Sequence, residues 1–598
     1  MLTISPEKIW IFDRTAISEF GLCLIAFGAC FPCTVATWIV SFGCFFCLVS
    51  SFGFYFDNIR KSVSDRRLIP AYLLLALCLL SFVSAAYADR PGYVFSKMFA
   101  TKLTWFGFPL LAIVCRPSCN LDRILKSYFL GVVVFVVYSF CDVACGIRSC
   151  VNMSVFIEDG MNGLTTAFNY ILNRAFAGTC IFVSVLFFFH ICAKGSLMKQ
   201  QLIFCLTSLL IFCLYEYLHS SRAVSFCGLF VLLISVFVFF HERKKIVLCL
   251  LGALLALTSV VLLTDNRISK SAKMVCSNGI SGLLTQPEMD GKNEEPRAEI
   301  WNSVANINHH SFWRGYGEAH STQYLIEDYK KKGFELGVGK QFHTHNVFLK
   351  TYLELGGIGV ILLLAVMLSA PIFADSDRRK LIALAMLLLA MVDMTDIYIC
   401  GCTSGAITFS MIAALLPSMS ERDRVTKFNQ LTEKSVCLTV TALSAVLVLV
   451  SFLLIRKEMT KDLFISSKVD SSQHESGYVY RMGKRSFKTF FNGDAYASNI
   501  LVISKNKERQ RSVSMDCLVS DEFNGDDVYV VCWDRGVAGK AIAHYDMNRK
   551  GVWQTLNLDM PAGYNQIELY IRKNNSFDLK KLSGCAEISN LIVGTSIN

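Results

Sequence analysis

The chain has 598 residues, 53% hydrophobic and 18% charged, with a net charge of +11 and a mean hydropathy of +0.46. Soluble domains carry about 25% charged residues, and here the shortfall is uneven: no charge occurs from Phe20 to Phe56, a run too long for a soluble core element. A soluble secreted protein, a disordered chain and a coiled-coil rod are excluded, leaving a polytopic α-helical membrane protein with a polar piece after residue 456.

A membrane helix needs about 20 apolar residues. Thirteen segments qualify, near 17–33, 35–56, 68–88, 98–115, 126–146, 171–193, 201–219, 223–241, 246–263, 347–374, 380–399, 401–419 and 436–455. The stretch after Arg14 has no small-residue cleavage site and is read as the first membrane helix, not a removed signal peptide. Many of the 24 cysteines, such as Cys23, Cys44, Cys78, Cys205 and Cys249, fall inside apolar runs, where Cys acts as a small hydrophobe.

Lys and Arg gather in alternate connections: Lys8 and Arg14, then Arg60, Lys61, Arg66 and Arg67, then Arg116, Arg123 and Lys126. The same set continues with Lys194 and Lys199, Arg243 to Lys245, Arg378 to Lys380, and Arg422 to Lys434. Positive loops stay in the cytoplasm, which places the N-terminus there and the 264–346 loop outside. An odd number of spans puts the tail outside too. The positive charge is thus a topology signal, and no nucleic-acid partner is expected. Four parts result: spans one to nine in 1–263, an external loop in 264–346, spans ten to thirteen in 347–455, and an external domain in 456–598.

The loop is too long for a simple connector. Pro296 stands at a first helical position, and Ile300, Trp301, Val304 and Ile307 follow at helical spacing, which predicts a short amphipathic helix. The 320–332 stretch predicts a second. In the tail the period changes to short β-rich runs at 528–533, 552–558 and 567–572, separated by turn signals, which predicts a C-terminal β-sandwich domain. Trp533, Trp553, Tyr545 and Tyr570 serve either its core or the stacking of sugars. An oxidising compartment would allow a Cys517–Cys532 disulfide, leaving Cys585 single.

Ionisable residues in membrane spans are functional candidates by default. Those singled out in the sequence lie toward the outer face: Asp142, Arg174, Glu216, His219, Arg222, Asp393 and Asp396. A polar cavity open to that face explains the group, whereas a single helix-end charge snorkels to the interface. Five of ten histidines, His309, His310, His320, His343 and His345, fall in the late external loop. His-x-His spacing suits a metal, but no Asp, Glu or Cys pattern completes a zinc motif, so neither a metal nor a cofactor is expected.

The segment from His345 and Asn346 through Leu353–Glu354–Leu355–Gly356–Gly357–Ile358–Gly359 resembles the signature of the O-antigen ligase family. Two further pieces match in order: Ser220–Ser221–Arg222, and Arg297 to Trp301 followed by Trp313–Arg314–Gly315–Tyr316–Gly317. The resemblance covers roughly residues 200–420, and the 456–598 tail departs from it. It implies a GT-C-like, multi-pass enzyme of the bacterial inner membrane. Such an enzyme transfers glycan from an undecaprenyl diphosphate donor to an acceptor hydroxyl at the periplasmic face, by an inverting, metal-independent reaction. Membrane lipid, the lipid-linked glycan and a glycan acceptor such as lipid A–core are the implied partners. Arg222 and Arg297 are the diphosphate-binding candidates, because a guanidinium fork donates paired hydrogen bonds. His345 is the candidate general base, imidazole being suited to proton transfer near neutral pH. Asn346, Trp301, Glu216, His219 and Arg174 are supporting residues, and the glycines are read as helix-packing positions. Ligation to lipid A–core is the preferred activity; polymerisation of lipid-linked repeats and protein O-glycosylation share the donor and chemistry. A transporter or flippase is the rival of another class, disfavoured by the absence of repeated halves.

Overall fold

The computed structural model describes residues 14–31, 33–84, 91–148, 174–195, 199–219, 222–263, 297–307, 312–318, 321–334, 342–421 and 442–454. Beyond these it describes residues 273, 277, 337 and 338 and, in the tail, 463–465, 469–474, 477–482, 485–487, 496–504, 511–521, 527–534, 537–560, 566–572 and 586–595. Two compact units divide the chain: residues 1–137 with 171–445, and residues 138–170 with 446–598.

The first unit is helical. Its helices are α1 (Arg14–Gly28), α2 (Cys33–Ser51), α3 (Tyr55–Ser62), α4 (Ile69–Ser84), α5 (Pro91–Cys115), α6 (Leu121–Arg148, which runs into the second unit), α7 (Arg174–Lys194), α8 (Lys199–His219), α9 (Arg222–Phe240) and α10 (Lys244–Leu263). They continue with α11 (Arg297–Ile307), α12 (Ser321–Lys332), α13 (Val347–Phe373), α14 (Ser376–Asp393), α15 (Tyr398–Gly401) and α16 (Thr403–Ser410).

Among the described residues, five helices are long and apolar enough to cross a membrane: Arg66–Ser84, Leu121–Ala144, Ala175–Lys194, Ala223–Phe240 and Val347–Phe373. A bent pair, Val35–Ser51 with Tyr55–Ser62 at 96°, makes a sixth if it is one span. The chain is therefore a multi-pass membrane protein by length and composition, with fewer full-length spans in the described residues than the thirteen expected. One of these runs, 401–419, is broken into α16, a π turn at Met411–Leu415 and a short helix at Leu416–Ser418, and others qualify only as shorter apolar helices, such as Lys102–Cys115, Leu206–Glu216 and Ala442–Leu454. The residues of the broken run are buried inside protein, where irregular backbone is tolerated.

Helix packing explains the apolar periodicity. The α1 and α2 helices approach closely because Gly21 and Gly43 face each other, a Cβ on either meeting the other's carbonyl oxygen at 2.6 Å. The most enclosed helix is α7, with 94% of its apolar window buried, so it forms the centre of the unit. Against it pack α9 and α14, while α13 packs on α4 and α14.

The Lys/Arg-rich connections meet at one end of the unit. Arg116 and Arg67 pair with Asp65 at 2.6 and 3.0 Å, Arg67 reaches Asp375 at 3.6 Å, and Lys194 reaches Asp377 at 3.4 Å. Arg378, 1% exposed, donates to the carbonyls of Leu416 and Met419 and so satisfies a helix end that would otherwise bury bare acceptors.

Among its described residues the second unit carries two larger antiparallel sheets and a two-stranded hairpin. Its strands are β1 (Leu463–Ile465), β2 (Val469–His474), β3 (Gly477–Met482), β4 (Arg485–Phe487), β5 (Tyr496–Ser504), β6 (Arg511–Val519), β7 (Asp527–Asp534), β8 (Val537–His544), β9 (Gln554–Met560), β10 (Gln566–Arg572) and β11 (Ala586–Thr595). One sheet has the order β8-β7-β10-β5-β1, the other the order β9-β6-β11-β4, and β2 pairs with β3. Alternate residues Val513, Met515, Cys517 and Val519 of β6, and Val528, Val530 and Cys532 of β7, are buried, the period of a strand with one covered face. Cys517 and Cys532 both keep their thiols, so the disulfide allowed by the sequence is not formed. Tyr545 is a structural residue rather than a sugar platform: it is 2% exposed, with its hydroxyl 2.7 Å from the carbonyl oxygens of Arg549 and Val552. The side chains of Trp533 and Tyr570, and Cys585 as a whole, lie outside the described residues.

Candidate active site

The predicted loop helices form, as α11 and α12, and they share a small core. Ile300 and Val304 of α11, Leu325 and Tyr329 of α12, Phe342 and Leu353 pack together, with Trp301, Leu349 and Tyr352 at the margin. Two apolar stripes thus close over the first turns of α13, which fixes the segment between them, 342–346.

That segment is tied down residue by residue. The Trp301 indole Nε1 donates to the Thr344 carbonyl at 3.0 Å, and the Thr344 hydroxyl donates to the Asn346 carbonyl at 2.9 Å. Asn346 caps α13: its Oδ1 accepts from Leu349 N at 3.0 Å, while its Nδ2 donates to the Met394 carbonyl at 3.0 Å. Between these anchors, His345 is held at a φ of 46°. A left-handed backbone costs a non-glycine residue roughly 1–2 kcal/mol, a strain that persists only where the surroundings impose it. The His345 amide donates to His343 Nδ1 at 3.1 Å, so the neutral His343 ring carries its proton on Nε2. The two rings stack with centroids 3.8 Å apart.

Arg297 is half-buried and opens α11 one turn before Trp301, on the same face. The structure thus brings Arg297, Trp301, His345 and Asn346 to one neighbourhood, and adds His343. For Arg222, His219 and Arg174 only the backbone is described: Arg222 opens α9, His219 ends α8 and Arg174 opens α7. Glu216 shows how these ends meet. Its carboxylate oxygens are buried beside Ser225 of α9, and a Cβ at Gly178 of α7 would lie 2.7 Å from its Oε1. Gly178 and Ser225 each stand one turn inside the arginine that opens their helix, so both helix N-termini converge over Glu216. The connection between the two groups is α14, which packs on α7 and α9 and whose following residue, Met394, accepts from Asn346.

Two expectations change. Asp393, read as a cavity charge, is wholly buried and caps α15, its Oδ1 accepting from Ile399 N at 3.2 Å. Gly356 is more than a packing glycine: with φ 68° and ψ −167° it breaks α13. The break frees two carbonyls that the 312–317 segment satisfies: Tyr316 N donates to Leu353 O at 2.7 Å and Gly317 N to Glu354 O at 2.9 Å, while Gly357 N donates to Phe312 O at 2.7 Å. His309, His310 and His320 lie outside the described residues.

The docked segment ends at a buried ionic cluster that sequence reading missed. Glu318 lies 2.5 Å from Lys102 Nζ of α5 and 3.8 Å from Lys350 Nζ of α13, and Lys350 also pairs with Glu354. The Ser84 hydroxyl oxygen accepts from the Glu318 amide at 3.0 Å. Burial alone would raise the Glu318 carboxyl, but Lys102 and Lys350 hold it down to about 2. Lys102 inside an apolar run, and Lys350 with Glu354 at i,i+4 spacing, were the available signals.

Within one multi-pass membrane protein, then, a histidine, an arginine and converging helix N-termini share an end of the helical unit. Residues 203–364 match the family model described as O-antigen ligase. The match runs from α8 to the middle of α13 and takes in Arg222, Arg297, Trp301, His345, Asn346 and Gly356, so this segment is similar to the domain of a family of glycosyltransferase-like enzymes that process membrane glycans. No curated protein matches the chain.

Proposed function

We propose that the chain transfers a glycan from undecaprenyl diphosphate to an acceptor hydroxyl at the periplasmic face of the bacterial inner membrane, with lipid A–core as acceptor. In this reading the N-terminus is cytoplasmic, the thirteen-span topology holds, and the two C-terminal sheets pack as a periplasmic sandwich. The observation that carries it is the strained His345, pinned between Thr344 and Asn346, with the Thr344 carbonyl bonded to Trp301 one helical turn along α11 from Arg297, inside the family-matched segment.

The acceptor oxygen attacks the anomeric carbon from the face opposite the diphosphate, and the carbon–oxygen bond to the diphosphate breaks, inverting the centre. His345 takes the acceptor's proton. Arg297 and Arg222 hold the departing diphosphate, with the N-termini of α9 and α7 adding backbone donors and partial positive charge. Neither a metal nor a cofactor is required by this residue set, and the arginines supply the charge that the leaving group needs.

The C-terminal sheets favour a second reading, polymerisation of lipid-linked repeats, because an extra external domain suits an enzyme that holds a growing chain. A null mutant separates the two. Loss of all O-chain with lipid-linked polymer accumulating indicates the ligase, and core bearing one repeat indicates the polymerase. Intact lipopolysaccharide with lost protein glycosylation indicates the oligosaccharyltransferase and overturns both.

A further inference from the structure

A second polar site lies on the opposite side of α11. A cleft of roughly 570 Å³ is lined by Glu299, Asn302, Ser303, Asn306, Lys332 and Phe334, among others, a size within the range of ligand sites (about 300–1,000 Å³). Its far wall is built by the end of α12. Gly333, at φ 70°, turns the chain so that Phe334 N donates to Tyr329 O at 2.9 Å, a helix-ending motif that folds Phe334 back onto the Tyr329 ring at 5.1 Å. Lys332 is fixed there, 3.1 Å from Ser303 Oγ and 2.7 Å from Asp328.

The chemistry of the lining selects its ligand. Asn302 and Asn306 are exposed amides, each offering donors and acceptors, and the Glu299 carboxylate accepts from two hydroxyls at once. Lys332 is already neutralised by Asp328, so the cleft has no surplus positive charge for a phosphate. Paired donors and acceptors beside one aromatic ring match a neutral, polyhydroxylated molecule. Position selects its role. At 100° per residue, Arg297 and Trp301 occupy one face of α11, while Glu299, Asn302, Ser303 and Asn306 centre about 180° away. The helix is about 10–12 Å thick with its side chains, so the cleft lies roughly two sugar residues beyond the reacting end.

We infer that this cleft is a glycan subsite that grips a neutral or N-acetylated sugar of the substrate chain away from the transferred bond. The inference rests on the glycosyl-transfer reading, and its test separates the two. Full-length protein and the Asn302→Ala/Asn306→Ala variant, both positions being exposed, are compared in two assays. In the first, saturation-transfer NMR uses the oligosaccharide released by mild acid from the producing strain's own surface polysaccharide. The wild type is expected to transfer saturation to internal sugars, and the variant to lose that signal; equal signals overturn the subsite. This outcome is independent of whether transfer occurs.

In the second, transfer is measured with donors and acceptors carrying one to four sugars. The variant should match wild type on the shortest substrates and show about a tenfold higher KM on longer ones, equivalent to about 1.4 kcal/mol, with kcat unchanged. Dependence on donor length assigns the cleft to the donor glycan, and dependence on acceptor length to the acceptor. A uniform loss at every length, or none at any, overturns the proposal.

Discussion

Replacing Glu318 by Gln keeps its shape and removes its charge from between Lys102 and Lys350. The Lys102–Glu318 contact is 2.5 Å between side chains 6% and 7% exposed, so the variant leaves Lys102 buried without its counter-charge, whereas Lys350 retains Glu354. Removing one partner of a buried pair costs about 3–5 kcal/mol, far above the 0–1 kcal/mol of a surface pair. Relief comes from undocking the 312–318 segment from the break in α13, so the amides of Tyr316, Gly317 and Gly357, which bond across that break, should exchange faster. The free energy converts to roughly 10²- to 10⁴-fold. Hydrogen exchange by mass spectrometry on full-length protein in lipid nanodiscs reads this directly. The double variant Lys102→Met/Glu318→Gln removes both charges and should recover much of the protection. Exchange in Glu318→Gln within fivefold of wild type, or no recovery in the double variant, would refute the reasoning.

Three further outcomes follow from the same geometry. Gly356→Ala places a Cβ 2.3 Å from the Trp313 carbonyl at a φ of 68° and should abolish loop protection and lower yield, while Gly252→Ala, with nothing within 4 Å, should leave both unchanged. Glu318 has a folded-state pKa held to about 2 against an ordinary 4.5; its contribution is therefore complete above about pH 4.5 and is lost as the pH falls toward 2, so a loop that undocks already at pH 6 would contradict the ion-pair account. Burial pushes the Cys517 thiol up to about 12, so maleimide should label it only after denaturation; rapid labelling of the native protein at Cys517 would place it at the surface.

The features legible in the sequence were local. Ile300, Trp301 and Val304 announced α11 through their spacing, and 528–533 and 567–572 announced strands, because a helix or strand writes its period into neighbouring residues. His345 and Asn346 stood out because a polar pair abuts an apolar run. What escaped depends on residues far apart in the chain. Lys102 and Glu318 are separated by 216 positions, and no periodicity links them. Gly356 looked like a packing glycine because a helix break is defined by what docks on it, here the 312–317 backbone. Asp393 carried the signal of a cavity charge, yet its partner is the Ile399 amide six residues on, a cap that composition does not reveal.

The central claim is that His345 takes the acceptor's proton during glycan transfer. The most direct measurement is glycan transfer by purified His345→Ala, with hydrogen exchange at 342–349 confirming that the Trp301 and Asn346 anchors remain. Loss of a general base predicts a fall in kcat of about 10²- to 10⁴-fold, with KM for the lipid-linked donor little changed and, in a deletion strain, loss of long-chain lipopolysaccharide. A variant that keeps wild-type kcat and restores the full polymer ladder would contradict the account.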